Sequence, residues 1–580
     1  MEKFDCVVVG AGWYGLGAAK QIHCTQPEAS IVVFDSQPSL GGTWAESRLY
    51  PGLKSNNLLG MFEYPDFPMD SETFNIYPRQ HIPGETVNKY IKAYAEKFGI
   101  ADKIRSSHKV LTAEHQETVE GGWILRVSNA SGEESKSFGG KIFHGKDFQK
   151  NADTLTTAKT VTIFGSTKFA WDAAYAYATA GVKVNWIVRS KGHGPCWMAP
   201  PFVTPLKKWL EKLANTRMLT WFSPCVWGDA DGYTGIRSFF HGTAAGRTIV
   251  DGFWKVLGDD AKTLMEYDSH PDTAKLKPWT EAMFTSTSFS ILNYDTNFFD
   301  LIRDGTVKVY VGELDHLSPG KVHLLDGTEL DADALLAHTG WKHVPPIKFL
   351  PEGIEKDLGI PHTPIENAPR EDLAGQKDLI ELADKEILER FPRLKNQPVW
   401  NKDYTPMTDM KGIDSEDEVT PYKSLTPYML HNFIVPASER FLRSRDTAFV
   451  GMVSNFSNVI TAHMQGLWIS AYFSGRLAKD PAASVGDDAA MQKLKYNTVL
   501  MNRYGKWRYP TDWGSNKCPS FVFDAVPYLD LLQQDLGLTP WRKKGFLAEW
   551  YDPYAPEDYR EVNDEWKSKY GSQKAVVAAP

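Results

Sequence analysis

Residues 4 to 35 constrain this chain more than any other stretch. Phe4-Asp5-Cys6-Val7-Val8-Val9 is a short apolar run ending at a glycine, the pattern of a buried parallel strand. Gly10-Ala11-Gly12-Trp13-Tyr14-Gly15 follows, and Leu16 to Lys20 can open a helix. The glycines have separate tasks. Gly10 allows a tight turn, Gly12 the close approach of a pyrophosphate, and Gly15 the packing of helix on strand. Free amides and the dipole at the helix start then favour the anion. A second apolar strand, Ile31 to Phe34, ends in Asp35, placed to accept hydrogen bonds from a ribose. Strand, glycines, helix, strand and acid in this order predict a dinucleotide site.

The rest of the sequence bounds what can surround that unit. A chain of 580 residues exceeds one core, so two or three domains are expected. Its 42% hydrophobic and 23% charged residues are those of a globular protein, and a net charge of −8 gives no footprint for nucleic acid. Cys6, Cys24, Cys196, Cys225 and Cys518 form no Cys-x-x-Cys pair and no metal-ligand spacing, which predicts reduced thiols, no metal, and no disulfide reductase. No apolar run is long enough to span a membrane, and the opening strand leaves no room for a leader, so the expected location is the cytoplasm.

After Asp35, Ser39-Leu40-Gly41-Gly42-Thr43-Trp44 can bring backbone amides to the same ligand, and Tyr50 to Asn57 is a turn-rich loop. Glu85 to Phe98 has helical apolar spacing, while His108 to Ala113 and Trp123 to Val127 read as a small antiparallel layer. A second unit begins with the strand Thr160 to Phe164. Gly165-Ser166-Thr167, a helix around Trp171 to Ala176, and the strand Val182 to Val188 ending in Arg189 follow. Thr167 stands where a second glycine is usual, so its hydroxyl and that of Ser166 would meet the phosphates. A base after the second strand suits a 2′-phosphate as an acid suits ribose hydroxyls. The pair implies FAD on the first unit and NADPH on the second.

Between residues 192 and 293 lies a tryptophan-rich insertion, read either as a roof over a site or as packing mass. Leu206 to Leu213 and Phe298 to Arg303 are expected helices, and Val307 to Val311 and Ala334 to Ala337 returning strands. Gln376 to Arg390 reads as a charged helix and Asp403 to Thr420 as a linker. A buried strand at Thr447 to Gly451 and a helix within Asn455 to Gly475 would return to the first unit, with Gly451 near its ligand. The last ninety residues are too apolar for a disordered tail, and predict an arm packed on the body or on a second copy.

One further stretch narrows the class. Phe138, Gly140, His144 and Phe148 match by spacing the Phe-x-Gly-x-x-x-His-x-x-x-aromatic pattern, just before the second unit. With Gly41-Gly42-Thr43-Trp44 and His338-Thr339-Gly340-Trp341, the chain resembles the class B flavoprotein monooxygenases. Phe546 to Tyr559 is similar to the ends of fungal secondary-metabolism members. The resemblance implies an α/β fold of two Rossmann-type dinucleotide-binding domains, the second inserted in the first, with the aromatic insertion and a C-terminal arm. Residues 1–157 would open the FAD domain, 158–340 form the NADPH domain, 341–485 return to the first, and 486–580 form the arm. His144 is implied to be a linker residue rather than a proton carrier.

The branch markers are mixed. Tyr50-Pro51-Gly52 resembles Baeyer–Villiger enzymes, whose aspartate four residues beyond the glycine is here Asn56. Leu53-Lys54-Ser55-Asn56 instead resembles the Leu-x-Thr-Asn run of the N- and S-oxygenating branch, where this asparagine lies near the flavin. Phe148 stands between the Trp of one branch and the Tyr of the other. The implied reaction uses NADPH, FAD and O2 to form a C4a-(hydro)peroxyflavin, with Asn56 holding the distal oxygen or the nicotinamide amide. A bulky apolar substrate would be hydroxylated, epoxidised or oxygenated at N or S. The rivals are Baeyer–Villiger oxygenation of a ketone, a flavin oxidase or dehydrogenase, and a non-catalytic binding protein.

Overall fold

The apolar run before Gly10 forms β1 (Cys6–Val9), and the residues after Gly12 form α1 (Trp13–Thr25). β2 (Ile31–Phe34) lies parallel to β1 with Val8 opposite Val33. A parallel pair cannot close through a tight turn, so α1 makes the crossover. In this computed structural model the described residues are 2–116, 121–129, 138, 140–203, 207–341, 345–362, 376–397, 400–405, 425–511 and 519–570. The loop after β2 leads to β3 (Lys54–Leu58), paired antiparallel with β4 (His81–Pro83). α2 (Gly84–Lys97) turns Val87, Tyr90, Ile91 and Tyr94 into the core, as their spacing predicts, and β5 (Ile104–Arg105) adds to the free edge of β2.

β6 (His108–His115) and β7 (Trp123–Asn129) form the expected antiparallel layer. The second sheet is wholly parallel. It contains β8 (Lys141–His144), β9 (Thr160–Phe164), β10 (Lys183–Arg189), β11 (Val307–Gly312) and β12 (Ala334–Ala337), in the spatial order β11-β10-β9-β12-β8. Because β8 pairs with β12, this sheet takes in residues well before the expected division at 157/158. α3 (Lys168–Thr179) joins β9 to β10, and its Trp171 meets Trp186 edge to face at 5.2 Å. β13 (Lys348–Leu350) then pairs parallel with β6, carrying the chain back to the first unit.

α4 (Leu210–Ala214) and α5 (Ala244–Leu264) belong to the insertion, and α6 (Lys377–Arg390) follows the second sheet. α7 (Asn458–Phe473) completes the return by crossing α1 at two glycines. A Cβ on Gly17 would lie 3.0 Å from the Ala462 carbonyl, and one on Gly466 2.8 Å from the Gly17 carbonyl. Side chains at either point would force the helices apart, so this crossing holds the late helix against the first glycine turn.

The arm contributes α8 (Asp488–Arg508) and α9 (Ala525–Asp535). Trp197, Trp227 and Trp254 of the insertion share one apolar core with Trp468 of α7 and with Tyr504, Tyr528 and Trp566 of the arm. Buried Arg217 ties insertion to arm, donating to Asp530 and Glu549, each at 2.6 Å. Removing one partner would strand a buried charge and cost about 3–5 kcal/mol. The arm is therefore part of the body, and the insertion is packing mass that also reaches β3, as described below.

Two local expectations are corrected. Thr447 to Gly451 is not a strand: Phe449 makes one bond, from its amide to the Ile434 carbonyl at 2.7 Å, and Gly451 turns away at φ 80°. The helix expected over 206–213 begins only at Leu210, because Lys208–Trp209 pairs with Phe202–Val203. The helix expected within 455–475 forms over Asn458–Phe473. Most of the expected linker at 403–420, the tail at 575–580 and Cys518 lie outside the described residues.

Candidate active site

In the first cradle Gly15 is fixed by sterics, since a Cβ there would sit 1.9 Å from the Gly10 carbonyl oxygen. Gly12 and Gly42 face each other: a Cβ on Gly12 would lie 3.5 Å from the Gly42 Cα. The amide of Gly41 donates to Ala11 at 2.8 Å, tying the Gly42–Trp44 turn to the glycine loop. No side chain caps α1 at Gly12, and such an uncapped helix start suits an anion. These features fit a dinucleotide pyrophosphate. Thr43 is exposed beside the loop, and the Trp44 carbonyl is held by Asn88 of α2 at 2.7 Å.

Asp35 has a task the sequence did not reveal. Its carboxylate accepts from the amides of Ala11 at 2.6 Å and Gln37 at 2.7 Å, closing the glycine turn on the end of β2. Each oxygen keeps a further lone pair for a ribose hydroxyl. Gly451 also reaches this cradle: a Cβ there would lie 2.9 Å from the Tyr14 ring, and its amide donates to Gln465 at 2.9 Å. Tyr14 in turn donates to Asn458 at 2.9 Å.

In the second cradle Gly165 adopts φ 138°, and a Cβ would lie 2.5 Å from the His338 carbonyl oxygen. Ser166 donates its hydroxyl to the Gly194 carbonyl at 2.9 Å, so that proton is already engaged. Thr167 is exposed at the start of α3, with no side-chain cap on the helix. Arg189 turns inward: its Nε lies 3.7 Å from Glu313, and one Nη donates to the carbonyls of Lys191 and Thr405.

The linker residues lie on and around β8, the edge strand of the second sheet. His144 accepts at Nδ1 from the Lys146 amide at 3.1 Å, so Nε2 carries the proton it donates to Gly340 at 3.0 Å. Burial lowers its pKa, which favours this neutral form. His338 stacks on Phe169 at 4.5 Å, and burial pushes its pKa down to about 4. Phe148 is wholly buried against Tyr50, 5.5 Å away, while Phe138 packs under the second sheet. A Cβ on Gly140 would meet the Asp333 carbonyl at 2.4 Å. Tyr50 donates to Asp172 of α3 at 3.0 Å, a bond between the units that sequence reasoning missed. A cleft of about 300 Å³ opens behind this contact, by Pro51, Gly52 and Tyr294.

Asn56 is half-buried at the centre of β3. Both ends of β3 are gripped from outside the first unit. Asn293 donates to the carbonyls of Lys54 at 3.1 Å and Ser55 at 3.3 Å. Glu211, on α4, accepts from the Asn57 side chain and from the Leu58 amide at 3.2 Å. Burial raises the Glu211 pKa to about 7. An acid set among Trp209, Leu210, Leu213 and Ala214 was the sequence signal for it. Beside α4 an apolar cavity of about 20 Å³ is lined by Trp254, Phe289, Phe456 and Phe523, among others. Among the described residues no cluster of three or more His, Cys, Asp or Glu could hold a metal, and no helix is long and apolar enough to cross a membrane.

Two parallel nucleotide units joined in this way define a two-dinucleotide redox protein. The NAD(P)-binding Rossmann-like domain family matches residues 8–65. An FAD-dependent monooxygenase of Aspergillus nomiae is 28% identical, with 98% of this chain and 99% of the relative covered. Another, from Pyrenophora dematioidea, is 29% identical over 94% of this chain and all of the relative. Among solved structures, cyclohexanone monooxygenase from Rhodococcus sp. Phi1 bound to NADP+ has a similar fold. Its TM-score is 0.53 at 14% identity, covering 92% of this chain and 97% of that one. The chain is thus similar to fungal FAD-dependent monooxygenases over nearly its whole length, and is an oxidoreductase with FAD and a nicotinamide dinucleotide as its cofactors.

Proposed function

We propose that the protein is an FAD- and NADPH-dependent monooxygenase of secondary metabolism, placing one atom of O2 in a bulky apolar small molecule by hydroxylation, epoxidation or N- or S-oxygenation. The observation that supports this reading is the grip of the insertion, through Asn293 and Glu211, on both ends of β3, the strand that carries Asn56. Bound FAD, once reduced by NADPH, supplies the oxygen-activating chemistry. Gly10, Gly12, Gly15, Asp35, Gly42, Thr43, Trp44 and Gly451 would hold it, and Gly165, Ser166, Thr167 and Arg189 would hold NADPH.

The chain's own work is to orient and to exclude water. Asn56 offers an amide donor to the reacting oxygen or to the nicotinamide amide. Trp254, Phe289, Phe456 and Phe523 keep the space beside α4 apolar, and at about 20 Å³ it holds no more than a water. Among the described residues no arginine hydrogen-bonds to β3, whose outside side-chain partners are His81, Glu211, Asn293 and Asp295. That composition supports hydroxylation, epoxidation or heteroatom oxygenation over Baeyer–Villiger chemistry.

A cytoplasmic location is part of the proposal, supported by the free thiols of Cys6, Cys24, Cys196 and Cys225. A homodimer through the arm is another part. Its support is the exposure of Trp541, Phe546, Leu547 and Tyr551 on the arm surface. The test of function is turnover with NADPH and isotopically labelled O2 on a panel of apolar amines, sulfides, alkenes and ketones. One labelled oxygen in an amine, sulfide or alkene product is the expected result. A lactone or ester from the ketones alone would establish the Baeyer–Villiger reading, and peroxide without product the oxidase reading.

A further inference from the structure

Among the described residues Glu211 is a buried acid with no bonded cation, as are Asp35, Asp524 and Asp535. Asp530 and Asp231 lie against arginines, whereas no cation bonds to Glu211 among the described residues. Its contacts are all donors: the Asn57 amide nitrogen at Oε1, and the Leu58 amide at 3.2 Å and Trp209 indole at 3.0 Å at Oε2. The Asn57 nitrogen is itself fixed by a second bond to the Phe456 carbonyl at 3.3 Å. A site built only of donors fits the ionised carboxylate, because a carboxyl O–H or an amide N–H would face another donor.

We propose that Glu211 is a positioning residue that, as a carboxylate, draws the end of β3 onto the insertion and so sets Asn56 for the reaction. The assignment of a role to Asn56 rests on the monooxygenase reading; the clamp itself does not. Asn293 grips the other end of β3, so with Glu211 engaged the strand is held on both sides of Asn56. Release at one end frees the Leu58 amide and lets the strand slide relative to the cradles.

Protonation is the natural release. Burial sets the carboxyl near 7 despite its three bonds. The charged and titratable groups nearby are few. Lys212 sits on the same helix over the Trp209 ring, and Lys54 is paired with Asp295 at the far end of β3. His81 of β4 donates to Ser55, and Arg217 is engaged by Asp530 and Glu549. None of them bonds to Glu211.

The experiment is amide exchange over residues 54–58 in the FAD-loaded protein, alongside the ratio of oxygenated product to NADPH consumed. In wild type, once corrected for intrinsic rates, exchange should quicken about tenfold as pH falls from one unit above the Glu211 midpoint to one unit below, as expected for one lost charge-assisted hydrogen bond. The product ratio should fall in the same window. Glu211→Gln should exchange fast and couple poorly at every pH, with β1 and β2 unchanged. Asn57→Ala, which leaves the acid in place, should exchange faster than wild type and reduce the pH step. Exchange over 54–58 that is unchanged in Glu211→Gln, or a wild-type pH step that survives there, would overturn the proposal. If Glu211→Gln does not fold, a flat wild-type profile overturns it instead. Exchange needs no turnover: an intact clamp without oxygenation would sink the monooxygenase reading and leave the clamp standing.

Discussion

Arg189 and Glu313 lie 3.7 Å apart at the end of β10, where the proposed function has the 2′-phosphate of NADPH read. The guanidinium also donates to two backbone carbonyls, so it is pre-oriented but engaged. A phosphate must compete with Glu313 for it. Arg189→Ala should weaken NADPH by about ten- to a hundredfold, the range for a charge-assisted contact, and NADH far less. Glu313→Gln should favour NADPH further. Cofactor dissociation constants check both, and equal loss for NADPH and NADH in the alanine variant would remove Arg189 from the site.

Gly12 and Gly15 separate ligand binding from folding. A methyl at residue 15 would overlap the Gly10 carbonyl, whereas one at residue 12 would meet only the Gly42 Cα at 3.5 Å. Gly15→Ala should therefore lower both thermal stability and FAD content. Gly12→Ala should leave the apoprotein's melting temperature within a few degrees and lose FAD. Flavin absorbance per protein, with melting of the apo forms, tests the pair.

Much of this was legible in the sequence because it depends on neighbours in the chain. The strand–glycine–helix units appear where the apolar runs and glycines put them, including β2, β9 and β12. The parallel order of the second sheet follows from its crossover helix. What escaped was long-range: Glu211 meets Asn57, and Tyr50 meets Asp172, across separations of more than a hundred residues. Thr447 to Gly451 misleads for the same reason, since an apolar run becomes a strand only where an edge is free to pair. Asp35 looked like a ligand acid alone because backbone amides carry no residue signature.

Asn56 lies between two grips on β3 yet bears no part of either. Asn56→Ala should keep FAD and the fold while diverting NADPH electrons to hydrogen peroxide. The loss in oxygenation rate should be about 10²–10³, as when one oxyanion-type donor is removed. Product yield against peroxide yield is the measurement. Unchanged coupling would take Asn56 out of the chemistry.

His431 is half-buried, and burial lowers its pKa from 6.5 to about 4. The unfolded chain therefore takes up a proton that the fold refuses. The stability from the neutral ring is present above about pH 6.5 and is lost as pH falls toward about 4. His431→Gln should flatten the pH dependence of unfolding free energy in that window, by up to about 1.4 kcal/mol per pH unit. Urea titrations across the window decide it, and an unchanged slope would contradict the assignment.

The central claim is oxygen activation on a flavin fed by NADPH, and rapid mixing tests it most directly. The FAD-loaded protein is reduced with NADPH without oxygen, then mixed with oxygen while absorbance is followed. The account predicts a flavin species distinct from both the reduced and oxidised forms, persisting for seconds or longer and shortened in Asn56→Ala. Immediate return of oxidised flavin with stoichiometric hydrogen peroxide, with and without an apolar substrate, would contradict it.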